Sequence, residues 1–539
     1  MNKKLNKISF DKIPPIFQSV LLILFAVIFL LKAYSTLDWR MEHDTPLLHY
    51  AAFLMDKYHL FPYRDIFETS MPGTFFFHYI IGKLFGYSDA AFRYVDLLLL
   101  GTLLTATYIF MKRFGGLVAS WAVILFGLVY FSFGQTMSLQ RDYIGIIPIA
   151  LAMLAIPSKI DSPVRRTRFA YIGLLFGLSV LIKPHLGIAL PILFVTLLSF
   201  RWHSHKKSKL DFFVCSVTSG VSFLIPVIIA LVWLGINSAL TPFIDIIFNY
   251  LPLHNLMTGD YEALSEHDHI LYLIEKTFMF GSIGAIFLCS LIAYYHAATN
   301  ADEDKVISIS LTFLLLCTLS YAFYPTVAGK FWEYHYMPFA YFCSISAGLC
   351  IFNDKQTVSS LLGRFRRLLP TLILFVAMTI QLPLFNYLSY LVYDLRSGPQ
   401  AHAPKYGRVD EIANWLKSRL RPGDTVQPLD WTGGSIHGML LAGAKLPTQF
   451  MYDYHFYHNV STPYIQGLRK LFISQLRNKS PRFIIKVDNT YFLRKPWVSG
   501  IDTTREFPEL HKFIDDNYLI VFKGKGYQIY ELFNGMSNR

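Results

Sequence analysis

The stretch IFQSVLLILFAVIFLLKAYSTL, residues 16 to 37, is apolar for longer than the roughly 20 residues a helix needs to cross the hydrocarbon of a bilayer. FFVCSVTSGVSFLIPVIIALVWLG, residues 212 to 235, does so again. A backbone in hydrocarbon must satisfy its own hydrogen bonds, so segments like these, repeated along the chain, specify a polytopic bundle of helices. Composition agrees: charged residues make up 16% of the 539, well below the roughly one quarter usual in soluble domains.

The formal net charge of +13 would suit a nucleic-acid partner, but the basic residues are placed differently. MNKKLNK at the start, MKRF (111 to 114), SPVRRTR (162 to 168), RWHSHKKSK (201 to 209) and GRFRR (363 to 367) fall on alternate loops. That is the pattern of positive-inside topology and excludes a nucleic-acid role. Keeping those loops cytoplasmic gives spans near 16-37, 88-111, 117-134, 143-157, 169-184, 185-200, 211-235, 270-296, 306-325, 336-353 and 368-393. With about eleven crossings, the N-terminus is cytoplasmic and the C-terminus external, as for a bacterial inner (plasma) membrane protein with a periplasmic or extracellular end. The first span is too long for a signal-peptide core and reads as an uncleaved anchor. The five cysteines (Cys215, Cys289, Cys317, Cys343, Cys350) all lie in spans, so neither a disulfide framework nor a zinc spacing is present outside the membrane.

The chain therefore divides into a transmembrane part, 1-393, and an external part, 394-539. In the latter, VDEIANWLKSRL (409 to 420) puts Val409, Ile412, Leu416 and Leu420 on one helical face, DTVQPLD and PRFIIKVD read as strands, and NYLIVFKGKGYQIYEL as two strands around a turn. A small α/β domain is expected. The first external loop, about 38 to 87, carries two amphipathic stretches. PLLHYAAFLMDKYHLF gathers Leu47, Leu48, Ala51, Ala52, Leu54 and Met55 on one face, and the segment after PYRD is aromatic-rich but too broken to span. Both are expected to lie along the membrane interface.

Charge at the external boundary needs a reason. Glu42, His43 and Asp44 follow the first span directly, and Asp65 and Glu68 come after the first amphipathic stretch. A carboxylate beyond a helix end is ordinarily a solvated flank. Arg141 and Asp142, in QRD after a span, read equally as a salt-bridged pair or as site residues. Lys183, in LIKPHLG, stands on the external side against the topology rule, and an anionic lipid phosphate would explain it; snorkelling is the bland reading. AGKFWEYHYMPF concentrates Lys330, Trp332, Glu333, Tyr334, His335 and Tyr336 at one boundary. An aromatic belt accounts for Trp and Tyr, while Lys330 and His335 suit a phosphate, and the aromatic rings, Tyr334 among them, suit a sugar face. SEHDHI supplies Glu266, His267, Asp268 and His269 as candidate ligands for a divalent metal, though consecutive residues rarely converge on one ion and a solvated loop is the alternative.

An acidic residue just after the first span, then PYRD.FE...PG, QRD (140 to 142), GLSVLIKP (177 to 184) and KFWEYHYMPF (330 to 339) together resemble the GT-C superfamily of integral membrane glycosyltransferases, nearest to the protein-mannosyltransferase and aminoarabinose-transferase type. The likeness covers nearly the whole layout, and the order of its loose motifs carries it. It implies a polyprenyl-phosphate-linked sugar donor, a glycan, lipid or protein acceptor reached from outside, a place in cell-envelope glycan or lipopolysaccharide synthesis, and a metal dependence that varies among members. It also implies that the first-loop acid, Asp44 with Glu42 as the alternative, is catalytic base or substrate anchor, with Glu68, Arg141, Asp142, Lys183, Lys330, Tyr334 and His335 around the substrate. Where relatives often carry a basic residue and two prolines, this chain has TSMPG, which weakens any phosphate contact there. Two other functions compete: a transporter or flippase of lipid-linked sugars, and a ligase or oligosaccharide transferase using a diphosphate-linked donor. A transporter asks for charge at mid-span and repeated halves, which this sequence lacks. DWTGGSIHGMLLAG (430 to 443) is Gly-rich without a nucleotide-binding spacing.

Overall fold

The computed structural model describes residues 13–204, 208–280, 283–301, 304–352, 361–381, 389, 391–393, 395–396, 403–488 and 499–533. The basic N-terminal run and the boundary expected at residue 394 lie outside them.

Nine helices open the chain: α1 (Ile13–Ser35), α2 (Thr45–Tyr58), α3 (Pro72–Phe85), α4 (Asp89–Met111), α5 (Gly116–Ser132), α6 (Arg141–Met153), α7 (Arg166–Ile182), α8 (Leu190–Ser204) and α9 (Lys209–Ile236). Further long helices are Gly284–Asn300, Lys305–Ala322, Met337–Ala347 and Leu361–Gln381. Among the described residues five segments are long and apolar enough to cross a membrane: Ile16–Ser35, Asp89–Phe114, Pro184–His203, Lys209–Ile236 and Lys305–Ala328. The chain is an integral membrane protein of mostly helical architecture.

Two features hold the bundle in register. Gly173 and Gly177, one turn apart on α7, let it approach α9 so closely that a Cβ at either position would fall 2.1 Å from the Ser219 carbonyl oxygen or 2.4 Å from that of Phe223. This is the small-residue packing that membrane helices use in place of a hydrophobic driving force. Inside α4, the fully buried Arg93 and Asp96 form an ion pair. Arg93 Nε also donates to the Thr36 carbonyl at 2.8 Å and Nη1 to Ser138 Oγ at 3.0 Å, while Asp96 accepts from Tyr130 Oη at 2.8 Å and from the Leu139 amide at 2.9 Å. With every polar atom engaged, this pair fastens the end of α1 to the turn that precedes Arg141.

Two expectations need correction. Residues 270-296 do not form one crossing: Glu266–Thr277 is a separate helix with no buried residue, and the apolar helix starts at Gly284. Glu275 and Lys276 close the first piece with charge, which hydrocarbon does not accept. And α2 does not simply lie on an interface, because every residue from Thr45 to Met55 is buried. Its outer side is covered by the C-terminal segment, where Tyr50 Oη donates to the Ala444 carbonyl at 2.9 Å and Tyr58 Oη to that of Gly443 at 2.8 Å.

The C-terminal segment carries strands at the runs expected for them. β2 (Val426–Leu429), β3 (Phe483–Val487), β5 (Tyr518–Gly524) and β6 (Tyr527–Leu532) make a four-stranded sheet in the order β2-β3-β6-β5, with β2 and β3 parallel and the other pairs antiparallel. Helices Arg408–Lys417, Ser435–Ala442, Pro463–Lys479 and Pro508–Asn517 accompany it. A two-residue parallel pairing of β1 (Glu262–Ala263) with β4 (Ser499–Gly500) ties the second loop to this segment. Arg40 joins the halves further, 2.7 Å from Asp89 and 2.7 Å from Asp410.

Candidate functional site

Asp44 is the residue before α2, where Pro46 sets the first turn, and His43 ahead of it is left-handed (φ 57°). This reversal separates the neighbouring carboxylates. Asp44 faces a cavity of about 440 Å³, whereas Glu42 does not line it and lies 3.4 Å from Lys405 Nζ of the C-terminal segment. Of the two first-loop acids, the structure thus brings Asp44 and not Glu42 to the cavity.

The cavity gathers residues remote in sequence: Asp44, Glu68, Arg141, Lys183, Lys330 and His335 all line it. Arg141 Nη2 is 3.0 Å from Asp44 Oδ2, and its Nη1 donates to Ser70 Oγ at 2.9 Å. Thr45 Oγ1 donates to the Ser138 carbonyl at 3.1 Å, so the turns bearing Asp44 and Arg141 are bolted together. His43 Nδ1 lies 2.9 Å from Asp44 Oδ1. Burial by itself would raise the Asp44 carboxyl, but His43 and Arg141 override it and hold the group well below the usual carboxylate range. Asp44 is thus ionised at any physiological pH.

Glu68 is buried and its acceptors are occupied. Oε1 takes the amides of Thr69 (2.7 Å) and Ser70 (3.2 Å), and Oε2 takes Tyr452 Oη at 3.0 Å. Asp142 does not line the cavity; both its oxygens are 2.8 Å from Lys183 Nζ, and Tyr324 Oη donates to one at 2.6 Å. Lys183 therefore brings its own counter-ion. Tyr334 stands behind the lining, its ring 5.6 Å from Lys183 Nζ and 5.8 Å from the His43 ring, with its buried hydroxyl lacking a hydrogen-bond partner.

Lys330 differs from the other two cations. Its Nζ donates to the carbonyls of His254, at 2.7 Å, and Met257. Among the described residues no carboxylate pairs with it, and burial pushes its ammonium down to about 7. His335 is kept neutral, well below the ordinary imidazole range, by burial first and then by Lys183 and Arg141.

The metal cluster expected from SEHDHI does not assemble. Ser265 caps the helix it opens, Glu266, His267 and Asp268 are exposed on its first turn, and only His269 reaches the cavity. Successive residues of a helix diverge by about 100° each, which prevents convergence on one ion. Among the described residues no group of three or more His, Cys, Asp or Glu side chains is arranged to hold a metal, so the donor set here does not fit one.

Sequence reasoning passed over the far wall, made by Tyr261 and His254 of the second loop and Trp431, Tyr452 and Tyr454 of the C-terminal segment. The dense aromatic and histidine run MYDYHFYH (451 to 458) was its available signal.

No family model and no curated protein matches this chain. Among solved structures, ArnT from Cupriavidus metallidurans in the apo state is similar over 95% of this chain and 98% of its own, with a TM-score of 0.57 and 13% identity. The same protein bound to undecaprenyl phosphate gives 96% and 99%, a TM-score of 0.55 and 13% identity. The chain shares the fold of this protein across nearly its whole length.

Proposed function

Starting from that shared fold, we propose that this chain is a membrane glycosyltransferase, a hexosyl- or pentosyltransferase that moves a sugar from a polyprenyl-phosphate donor to a glycan, lipid or protein acceptor outside the cytoplasm. The alternation of basic loops supports a reading with about eleven crossings, a cytoplasmic N-terminus and a C-terminal segment, from about residue 394, outside a bacterial inner membrane, with a part in cell-envelope glycan synthesis. The observation that carries the reading is Lys330, a buried ammonium lining a roomy cavity, held by two carbonyls and lacking a carboxylate partner among the described residues. An anionic phosphate restores the charge balance that burial denies it. The undecaprenyl phosphate in the similar ArnT structure supports a ligand of this class.

In the reaction, an acceptor hydroxyl oxygen bonds to the anomeric carbon of the donor sugar while the bond from that carbon to the phosphate oxygen breaks. The electron pair leaves with the polyprenyl phosphate, and the hydroxyl proton passes to a carboxylate. Asp44 is the group for that proton. Being strongly ionised it is a weak base, so transfer accompanies attack on an oxocarbenium-like centre and does not precede it. Arg141, Lys183 and Lys330 face the departing charge, with His335 beside them, and Trp431, Tyr452 and Tyr454 of the C-terminal segment complete the cavity wall. Glu68 and Asp142 shape the site through Tyr452 and Lys183, and Tyr334 backs the cation cluster.

The test is transfer by the purified chain from a panel of polyprenyl-phosphate sugars, beside Asp44→Asn. Parental transfer by the variant removes Asp44 as the base. Movement of lipid-linked sugar across vesicle membranes without transfer from any donor replaces the enzyme reading by the transporter.

A further inference from the structure

Beyond its charged residues, the cavity has a wall without formal charge, formed by Trp332 and Tyr261 on one side and Trp431 and Tyr454 on the other. The rings contact one another in sequence. Tyr261 meets Trp332 at 5.6 Å and, edge to face at 83°, Trp431 at 4.5 Å; Trp431 meets Tyr454 at 5.2 Å. A cluster that only filled space would bury all its rings, yet Trp332 and Trp431 remain half-buried on the cavity.

The loop carrying Trp431 is built with unusual care. Asp430, fully buried, accepts from the amides of Trp431 (2.6 Å), Gly433 (2.8 Å) and Ser435 (2.9 Å) and from Ser435 Oγ (2.7 Å). Gly434 follows at φ 112°, a conformation that other residues avoid. A buried carboxylate is thus committed to fixing a turn at the end of β2 whose large side chain packs against the core on one side and lines the cavity on the other. Polar tips elsewhere on the wall are tied back: Trp332 Nε1 donates to the Gly259 carbonyl at 2.7 Å, and Tyr454 Oη lies 3.2 Å from His254 Nδ1. Such rings suit the C–H face of a sugar, with Asp44, Asn255 and His335 around the cavity to meet hydroxyls. The His43 ring links the two regions, 6.5 Å from Trp431 and, through Nδ1, 2.9 Å from Asp44.

We propose that this aromatic wall is a saccharide subsite that seats a sugar ring of the acceptor with a hydroxyl near Asp44, an inference that rests on the transferase reading above. The acceptor is then a glycan or a glycosylated lipid, and the C-terminal segment is a binding part of the site and more than a cover.

The experiment uses the full chain in detergent with two probes: a panel of methyl hexopyranosides (gluco, galacto and manno, both anomers) followed by saturation-transfer NMR, and undecaprenyl phosphate. Trp431→Ala should weaken hexoside binding by about tenfold or more and Trp431→Phe by no more than about threefold, since phenylalanine keeps a ring face. Both variants should bind undecaprenyl phosphate as the parent does, which also reports that they fold; Tyr454→Ala is held to the same outcomes should Trp431→Ala not fold. Hexosides that fail to bind the parent, or that bind Trp431→Ala equally well, overturn the subsite. Hexoside binding that depends on Trp431 without any undecaprenyl phosphate binding leaves the saccharide site standing and removes the donor reading.

Discussion

Burial of Lys330 without a carboxylate makes phosphate binding depend on pH. Its ammonium titrates near 7, against about 10.4 for a free lysine. A phosphate oxygen about 4 Å away, at the effective dielectric of a partly wet site, contributes roughly 4 kcal/mol, which returns the titration to about 10 when the ligand is bound. Affinity for a phosphodiester should therefore be flat below pH 7, fall by up to about tenfold per pH unit between 7 and 10, and level off above. A short polyprenyl methyl phosphodiester, which does not titrate in this range, is the ligand to use, with binding measured by calorimetry from pH 6 to 9.5. Lys330→Arg fixes the charge and should keep the low-pH affinity across the range, while Lys330→Met should be weak and nearly flat. In the absence of ligand the sign reverses. The unfolded chain binds more protons than the native one between about 7 and 10, so this group's contribution to stability rises with pH over that window and is lowest below 7. A parent with no slope, or a methionine variant with the same slope as the parent, refutes the role of Lys330.

Asp44→Asn should lower the turnover number by about 10²–10⁴ with little change in donor binding, whereas Glu42→Gln, whose carboxylate faces Lys405 away from the cavity, should stay near the parental rate in the same transfer assay. Because the Asp44 carboxyl is held low, that acid should place no limb on the pH–rate profile near pH 4. Tyr452→Phe leaves the buried Glu68 Oε2 without its hydroxyl and should cost about 1.5–3 kcal/mol, read as earlier proteolysis of the C-terminal segment at fixed temperature. Gly177→Leu, whose side chain would meet the α9 backbone, should lower the melting temperature or abolish the folded fraction in detergent, while Gly101→Leu, open on all sides, should not.

Much of this arrangement can be read from the sequence because its physics is local. Apolar run length predicts the helices, short apolar runs and a Gly-containing turn predict β2, β3, β5 and β6, and the order of Asp44, Arg141, Lys183 and Lys330 at the ends of apolar runs already marks one boundary as charged beyond need. The run from 270 to 296 misleads because a window average conceals Glu275 and Lys276, which end a helix without making the segment polar overall. The amphipathic reading of α2 is incomplete for a different reason: a face count registers which residues are apolar but not that a segment some 390 positions away covers the other side.

What the sequence does not disclose is which charges are already spent. Lys183 and Lys330 look alike in one dimension, yet Lys183 is neutralised by Asp142, whereas Lys330 among the described residues is held by carbonyls alone. The carboxylates divide likewise, Glu68 saturated by its own backbone and Tyr452 while Asp44 faces both Arg141 and open cavity. In a site shielded from water an ion is useful to an incoming phosphate or hydroxyl only to the extent that the protein has left it under-compensated. Apart from the turn amides on Glu68, these pairings span sequence separations from 41 to 384 residues and depend on helix packing, so no motif can encode them. Reactivity here is consequently a property of the residual charge after folding, and Lys330 and Asp44 stand out on that criterion although the sequence also offered Asp142, Glu42 and Lys183.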